Sequence, residues 1–238
     1  MQEILGMMRK AITDYQMIQP GDRILAGISG GKDSVVLFTG LARLKQFMDI
    51  PFEVVGCTLD PGFQNQRSDY SPIAELAQSF GAEYHVKNTN IGEIVFDVRQ
   101  ETNPCSLCAR MRRGALHDMA KELGCNKVAL GHHADDAVET FMMNLFQEGR
   151  IGCFSPVTYL SRKDLTVIRP LIYALEKDVE HCVRVNGLPV VKSRCPADKH
   201  TTRQWTKEFL AQMEQQMPGL RKRLMGAVRR GEVSGWKP

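Results

Sequence analysis

The chain has 238 residues, 43% of them apolar, with a formal charge of +4 and seven cysteines. That length suits one α/β domain, or one domain with a small appendage. The apolar share suffices for a core, and no run of about 18 apolar residues exists to cross a membrane. Met1-Gln2-Glu3-Ile4-Leu5 lacks a basic segment followed by an apolar one, so no secretory leader is visible and a cytoplasmic setting is expected. In a reducing compartment, an odd cysteine count points to metal or redox chemistry rather than a disulfide framework.

In chain order, Ile4, Leu5, Met8, Ile12, Tyr15 and Ile18 predict an amphipathic helix over 2–18, stopped by Pro20-Gly21. Ile24 to Ile28 reads as a buried strand. Ser29-Gly30-Gly31-Lys32-Asp33-Ser34 follows, and helical spacing resumes at Val35, Leu37, Phe38 and Leu41. A strand, a tight glycine turn and a helix start suit phosphate. Glycine lets backbone N–H groups approach an anion closely, the first helical N–H groups have no intrahelical partner, and Lys32 adds a full charge. Two better-known phosphate loops are excluded. A Walker A loop needs Gly at 26 and Ser or Thr at 33, where this chain has Ala26 and Asp33. The G-x-G-x-x-G spacing is also absent.

Phe52 to Leu59 reads as a second buried strand. It ends in Asp60-Pro61-Gly62, at the carboxyl end where open α/β sheets gather ligands, although a plain turn explains these residues equally well. Pro72–Phe80 reads as a helix, Ala82–Lys87 as a third strand and Ile91–Arg99 as a helical piece. Cys105-Ser106-Leu107-Cys108 leads into a helix carrying Arg110, Arg112 and Arg113. A helix start stabilises thiolates. This C-x-x-C alone admits a redox pair, half a zinc site or part of an iron–sulfur site, and no second C-x-x-C is present to complete a zinc site. Lys127–Gly131 forms a fourth strand. His132-His133-Ala134-Asp135-Asp136 then opens an apolar helix to about Glu148. Carboxylates there suit Mg²⁺ ligation, proton abstraction or helix capping, and His133 is expected to pack or hydrogen-bond. A hairpin is expected over 157–160 and 165–168, and helices near 176–186, 201–216 and 218–230. Cys195 stands on a loop among basic residues, and Cys57, Cys125, Cys153 and Cys182 read as buried or incidental thiols. The tail carries Arg221, Lys222, Arg223, Arg229, Arg230 and Lys237 against Glu232, as either an RNA-binding or a solvated basic face.

Taken together, the Ser-Gly-Gly-Lys-Asp-Ser loop, Leu59-Asp60, Cys105-x-x-Cys108, Ala129-Leu130-Gly131-His132-His133 with Asp135-Asp136, Val167-Ile168-Arg169-Pro170-Leu171 and Glu176-Lys177-Asp178 resemble the PP-loop ATP pyrophosphatases. Within that family the joint set resembles the tRNA 2-thiocytidine synthetase group, over roughly residues 3–217. The resemblance implies a doubly wound parallel α/β sheet of the HUP/Rossmann-like type, with extra helices at both ends. The regions implied are 1–20 (N-terminal helix), 21–190 (PP-loop domain) and 191–238 (cysteine loop and basic tail). It implies ATP-dependent adenylation of a tRNA base carbonyl, most simply of cytidine, followed by replacement of the oxygen by sulfur. ATP, used with Mg²⁺, would be held by Ser29, Gly30, Gly31, Lys32, Asp33, Ser34, Asp60, Gly131 and His132. Asp135, Lys32 and Arg112 would be catalytic. Cys105, Cys108 and Cys195 would hold a 4Fe-4S cluster, leaving one iron open for hydrosulfide. In the cytidine enzymes a second C-x-x-C follows a Pro-Val-Val-like strand. Here that register holds Ser193 and Pro196, with Cys195 two residues beyond the first position. Arg112 stands where the thiouridine relatives have Lys and is a poorer proton acceptor. A sulfide donor such as a cysteine desulfurase and a homodimer are implied as partners. Two other readings remain at this level: a PP-loop enzyme thiolating or amidating a small molecule, and a non-enzymatic nucleotide-binding redox sensor.

Overall fold

The computed structural model describes residues 1–100, 104–197, 202–231 and 233–236. Glu232 and Lys237 of the tail, and Thr201 at the expected start of a helix, lie outside them. Helix α1 (Gln2–Asp14) precedes strand β1 (Asp22–Gly27), helix α2 (Lys32–Leu44), strand β2 (Phe52–Asp60), helix α3 (Ser71–Ser79) and strand β3 (Glu83–Asn88). A short helix α4 (Ile91–Glu93) continues as a π turn over Ile94–Val98 and leads to α5 (Pro104–Glu122), β4 (Lys127–Ala129) and α6 (Ala134–Gln147). The hairpin β5 (Val157–Leu160) and β6 (Leu165–Ile168) follows, then α7 (Glu176–Asn186), α8 (Thr202–Gln216) and α9 (Leu220–Arg230).

Boundaries differ from the sequence reading in several places. The first helix stops at Asp14 rather than 18, because Tyr15 leaves helical geometry and Gln16 turns left-handed at φ 47°. Helix α2 starts at Lys32, so half of the glycine-rich motif is the first turn of the helix. Both cysteines of the C-x-x-C lie inside α5, whose described part begins at Pro104, a residue suited to a first helical turn.

The six strands lie in the order β3-β2-β1-β4-β6-β5, parallel throughout except for the β5–β6 hairpin. The chain builds outward from β1 to β3, then crosses back to place β4 on the other side of β1. That reversal opens a crevice beyond the carboxyl ends of β1 and β4, the position where this architecture binds ligands. Helices cover both faces, as a parallel sheet requires. Ile4, Met8, Phe38, Leu41 and Ile172 build one core with α1, α2 and α7, and Leu116, Met119 and Ala120 of α5 cover Leu25, Val55 and Val128 on the other face. Helices α8 and α9 dock on α6 through Leu210, Val138 and Met142. No helix among the described residues is long and apolar enough to cross a membrane.

Candidate active site

The glycine-rich turn is held open by its own hydroxyls. Ser34 Oγ donates to the Gly31 carbonyl at 2.8 Å and accepts from the Ser29 N–H at 3.1 Å, and Ser29 Oγ accepts from the Gly31 N–H at 3.3 Å. Gly30 has φ +89°, which only glycine adopts without strain, and its carbonyl accepts from the Val191 N–H at 2.9 Å. The segment ahead of Cys195 is thereby tied to the turn. Gly31 precedes α2 as an N-cap without a side chain, so no side-chain cap competes for the first helical N–H groups. Lys32 Nζ lies 3.0 Å from Glu176 Oε1 and 3.3 Å from Asp33 Oδ1.

The loop after β4 packs directly on this turn. A Cβ on Gly131 would come within 3.0 Å of the Asp33 carbonyl, so glycine is what permits the approach. His133, buried, is the N-cap of α6. Its Nδ1 accepts from the Asp136 N–H at 3.4 Å while Asp136 Oδ2 accepts from the His133 N–H at 2.9 Å, a reciprocal capping box. Its Nε2 lies 3.7 Å from Asp33 Oδ1. His132 lines the crevice and packs on Phe154, with ring centroids 4.9 Å apart. Burial first, and the nearby Arg169 cation second, push its pKa down to about 4. Arg169 is itself buried, its guanidinium over the Phe154 ring, and desolvation pushes its pKa down to about 10.

Two adjoining cavities result. The larger, about 680 Å³, lies at the sheet's switch point and is lined by Ile28, Ser29, Leu59, Gly131, His132 and Arg112, among others. The smaller, about 360 Å³, is lined by Lys32, Glu139, Glu176, Cys105, Cys195 and Lys207, among others. Asp33, Asp136 and Arg203 line both and form the wall between them. Asp33 Oδ1 accepts no hydrogen bond, and burial above all, with Asp136 adding to it, raises the Asp33 pKa.

The structure separates the two neighbouring aspartates. Asp135, the expected catalytic carboxylate, is not aimed at the phosphate turn. It accepts from the Glu176 N–H at 2.8 Å and from Arg221 Nη1 at 3.0 Å, and it faces a different groove, beneath α9. Adjacent residues on a helix point about 100° apart, and of the two carboxylates Asp136 lies nearer the His133 ring, its Oδ2 3.5 Å from Nε2, against 4.0 Å between Asp135 Oδ2 and Nδ1. Asp60 is hydrogen-bonded within its own turn. Its oxygens accept from the Gly62 and Ser68 N–H groups at 2.9 and 3.1 Å, shaping the turn beside a third cavity of about 180 Å³ that also touches Ser29, Gly31 and Arg112.

The three expected cluster ligands converge. Cys105 and Cys195 line the same cavity, and Cys195 packs with buried Cys108 in an apolar patch with Phe63 and Val95. Burial above all pushes the Cys108 thiol up, against the opposing pull of Arg112. Among the described residues no three His, Cys, Asp or Glu side chains are arranged to hold a single metal ion. Three soft thiols around an apolar wall instead fit an iron–sulfur cluster, whose ligands each take a different iron. Sequence patterning does not mark Arg203, Lys207 and Arg221 as site residues. The i, i+4 spacing of 203 and 207 puts both on one face of α8, and Arg221 shows in the sequence only as one cation of the basic tail.

A parallel sheet with a hydroxyl-braced glycine turn at its switch point defines an α/β phosphate-binding protein. The chain belongs to the PP-loop domain family, whose profile matches residues 4–214. It is 39% identical over 222 residues to a tRNA-cytidine(32) 2-sulfurtransferase of Pelobacter propionicus, covering 92% of this chain and 82% of that protein. It is 36% identical over 229 residues to the protein of the same name from Geobacter sulfurreducens, with coverages of 95% and 88%. In fold it is similar to the U34-tRNA thiolase NcsA from Methanococcus maripaludis, solved with its 4Fe-4S cluster. The TM-score is 0.76 at 24% sequence identity, over 94% of this chain and 77% of that one.

Proposed function

We propose that the chain is an ATP-dependent tRNA sulfurtransferase that 2-thiolates a cytidine. The observation that carries the reading is the common wall between the cavity beside the phosphate turn and the cavity rimmed by cysteines. Similarity to the tRNA-cytidine(32) 2-sulfurtransferases over nearly the whole chain supports the same reaction. Ser29, Gly30, Gly31, Lys32 and Ser34 hold the pyrophosphate half of ATP. The nucleoside half occupies the larger cavity against Gly131 and His132. Asp33 and Asp136 offer oxygen ligands to the Mg²⁺ that accompanies ATP, and Arg112 faces the nucleotide from α5. Attack by the base carbonyl oxygen on the α-phosphorus releases pyrophosphate, and sulfide then displaces AMP from the activated carbon. Cys105, Cys108 and Cys195 would hold a 4Fe-4S cluster, which would supply that sulfide.

In this reading residues 21–190 carry the nucleotide site, 191–238 carry the third cysteine and the basic helices, and 1–20 brace the sheet. A cytoplasmic setting, a cysteine desulfurase as sulfide source and a homodimer belong to the proposal. The reading is tested by anaerobic iron and sulfide analysis of the parent and of Cys195→Ala, together with mass spectrometry of nucleosides from tRNA incubated with each. The expected result is about four irons per chain and 2-thiocytidine for the parent, with both lost in the variant. A parent that holds zinc alone, or an unaltered variant, would sink the three-cysteine assignment.

A further inference from the structure

We infer that Arg203, in the first turn of α8, contacts the α-phosphate of ATP and stabilises it during adenylation; this rests on the sulfurtransferase reading above. In the adenylation step a bond forms between the base oxygen and the α-phosphorus. The bond from that phosphorus to the oxygen bridging the β-phosphate breaks, and its electron pair leaves on pyrophosphate. Of the turn residues assigned to the leaving pyrophosphate, Lys32 lines the smaller cavity while Ser29 and Ser34 line the larger, nucleoside-sized one, so the phosphates pass between the two. The α-phosphorus therefore sits at the junction. Sulfur must later reach the carbon attached to the same oxygen, and the cysteines lie on the far side of that junction, which leads to the same place. Of the three residues lining both cavities, Asp33 and Asp136 are anions and Arg203 is the cation. Arg112 lines the nucleotide cavity but not the cysteine cavity.

Arg203 is held ready for this contact. Its Nη1 donates to Asp136 Oδ1 at 3.0 Å and its Nη2 to Thr140 Oγ1 at 3.3 Å, with Glu139 Oε2 4.0 Å from Nη1. The side chain is 42% exposed, so a ligand in either cavity can reach it. A guanidinium stays charged at any working pH, and its rigid planar fork holds a carboxylate and a phosphate in fixed relative geometry, whereas a lysine ammonium is a single rotatable point charge. Asp136 fixes the fork with one oxygen while its other oxygen accepts from the His133 N–H, so the cation is anchored to the first turn of α6 although it arrives from the C-terminal arm.

The test is pyrophosphate release from ATP and tRNA by anaerobically reconstituted parent, Arg203→Ala and Arg203→Lys proteins, with ATP affinity measured separately. For Arg203→Ala the adenylation kcat should fall ~10²–10³-fold, while ATP affinity changes less than about threefold, the mark of an interaction made in the transition state. Free guanidinium should restore part of the Arg203→Ala rate, and Arg203→Lys should remain slow. Retained ATP affinity excludes misfolding as the cause. Unchanged rates, a loss confined to ATP or tRNA binding, or no response to guanidinium would overturn the inference. A parent that releases no pyrophosphate with tRNA would overturn the sulfurtransferase reading as well, whereas an active parent with unaffected variants would overturn this inference alone.

Discussion

Gly131 and His132 show how single residues set the site. Gly131 has no room for a side chain, because a Cβ there meets backbone atoms of Asp33 and Ser34 at 3.0–3.1 Å. Gly131→Ala should push the two loops apart and cost about 1–3 kcal/mol, as overpacking does. Denaturant unfolding reads the loss, and ATP affinity should fall with it. His132 gives a pH signature. Folded, it stays neutral down to about pH 4, held there by burial and by Arg169. Unfolded, it takes up its proton near its ordinary pKa of about 6.5. Between those values the unfolded chain binds the extra proton, so stability is full above about pH 6.5 and falls as the pH drops toward 4. His132→Phe should flatten that part of a stability–pH profile; a profile identical to the parent's would remove His132 as its source.

At the scale of elements, β1 and β4 are locked beneath the site by a buried ion pair. Lys127 Nζ lies 2.7 Å from Asp22 Oδ2 and donates to the Met17 carbonyl at 2.7 Å. Lys127→Ala leaves Asp22 with an uncompensated buried charge, and the expected cost is about 3–5 kcal/mol in chemical denaturation. Lys127→Met with Asp22→Asn should recover much of that loss. The C-terminal arm has its own anchor. Trp236 is fully buried, its Nε1 donates to the Phe154 carbonyl at 2.9 Å, and its carbonyl accepts from Tyr15 Oη at 3.2 Å. Trp236→Ala should destabilise by about 3–5 kcal/mol. Phe154 also supports His132, so the variant should weaken ATP binding from a distance, and isothermal titration would detect it.

Across the whole molecule, charge is distributed more specifically than a solvated basic helix would have it. Arg221 turns inward to Asp135, Arg229 lies over the Tyr173 ring, and Arg223 donates to the Pro218 and Met217 carbonyls at the end of α8. Lys222 and Arg230 line the broad groove between α1, α7 and α9. If that groove carries the tRNA backbone, Lys222→Ala with Arg230→Ala should weaken tRNA binding. The slope of log Kd against log salt should fall by ~1 for each phosphate that the variant no longer neutralises. Filter binding across a salt series reads both, and an unchanged slope would move the RNA footprint elsewhere.

The sequence alone determined the phosphate turn, the order of strands and helices, the covered sheet and the cysteine pair, because each is local. Glycine conformations, apolar periodicity and a strand–turn–helix order are written within a dozen consecutive residues. Asp135 and Asp136 mark where that legibility ends. As adjacent letters they are equivalent, and only the capping geometry of His133 decides which one faces Asp33. Arg203 lies 67 residues beyond Asp136 and Arg221 86 beyond Asp135, the α6 carboxylates they meet, while Lys207 lies 31 beyond its partner Glu176 of α7. Beyond the i, i+4 spacing of 203 and 207, nothing in their immediate sequence distinguishes them from the other cations of the C-terminal segment. Their partners are chosen by the docking of α8 and α9 on α6, through an apolar contact of Leu210 with Val138 and Met142. Burial and ion pairing depend on that long-range packing, so only the tertiary structure could decide which charges meet at the phosphate turn and which remain on the surface.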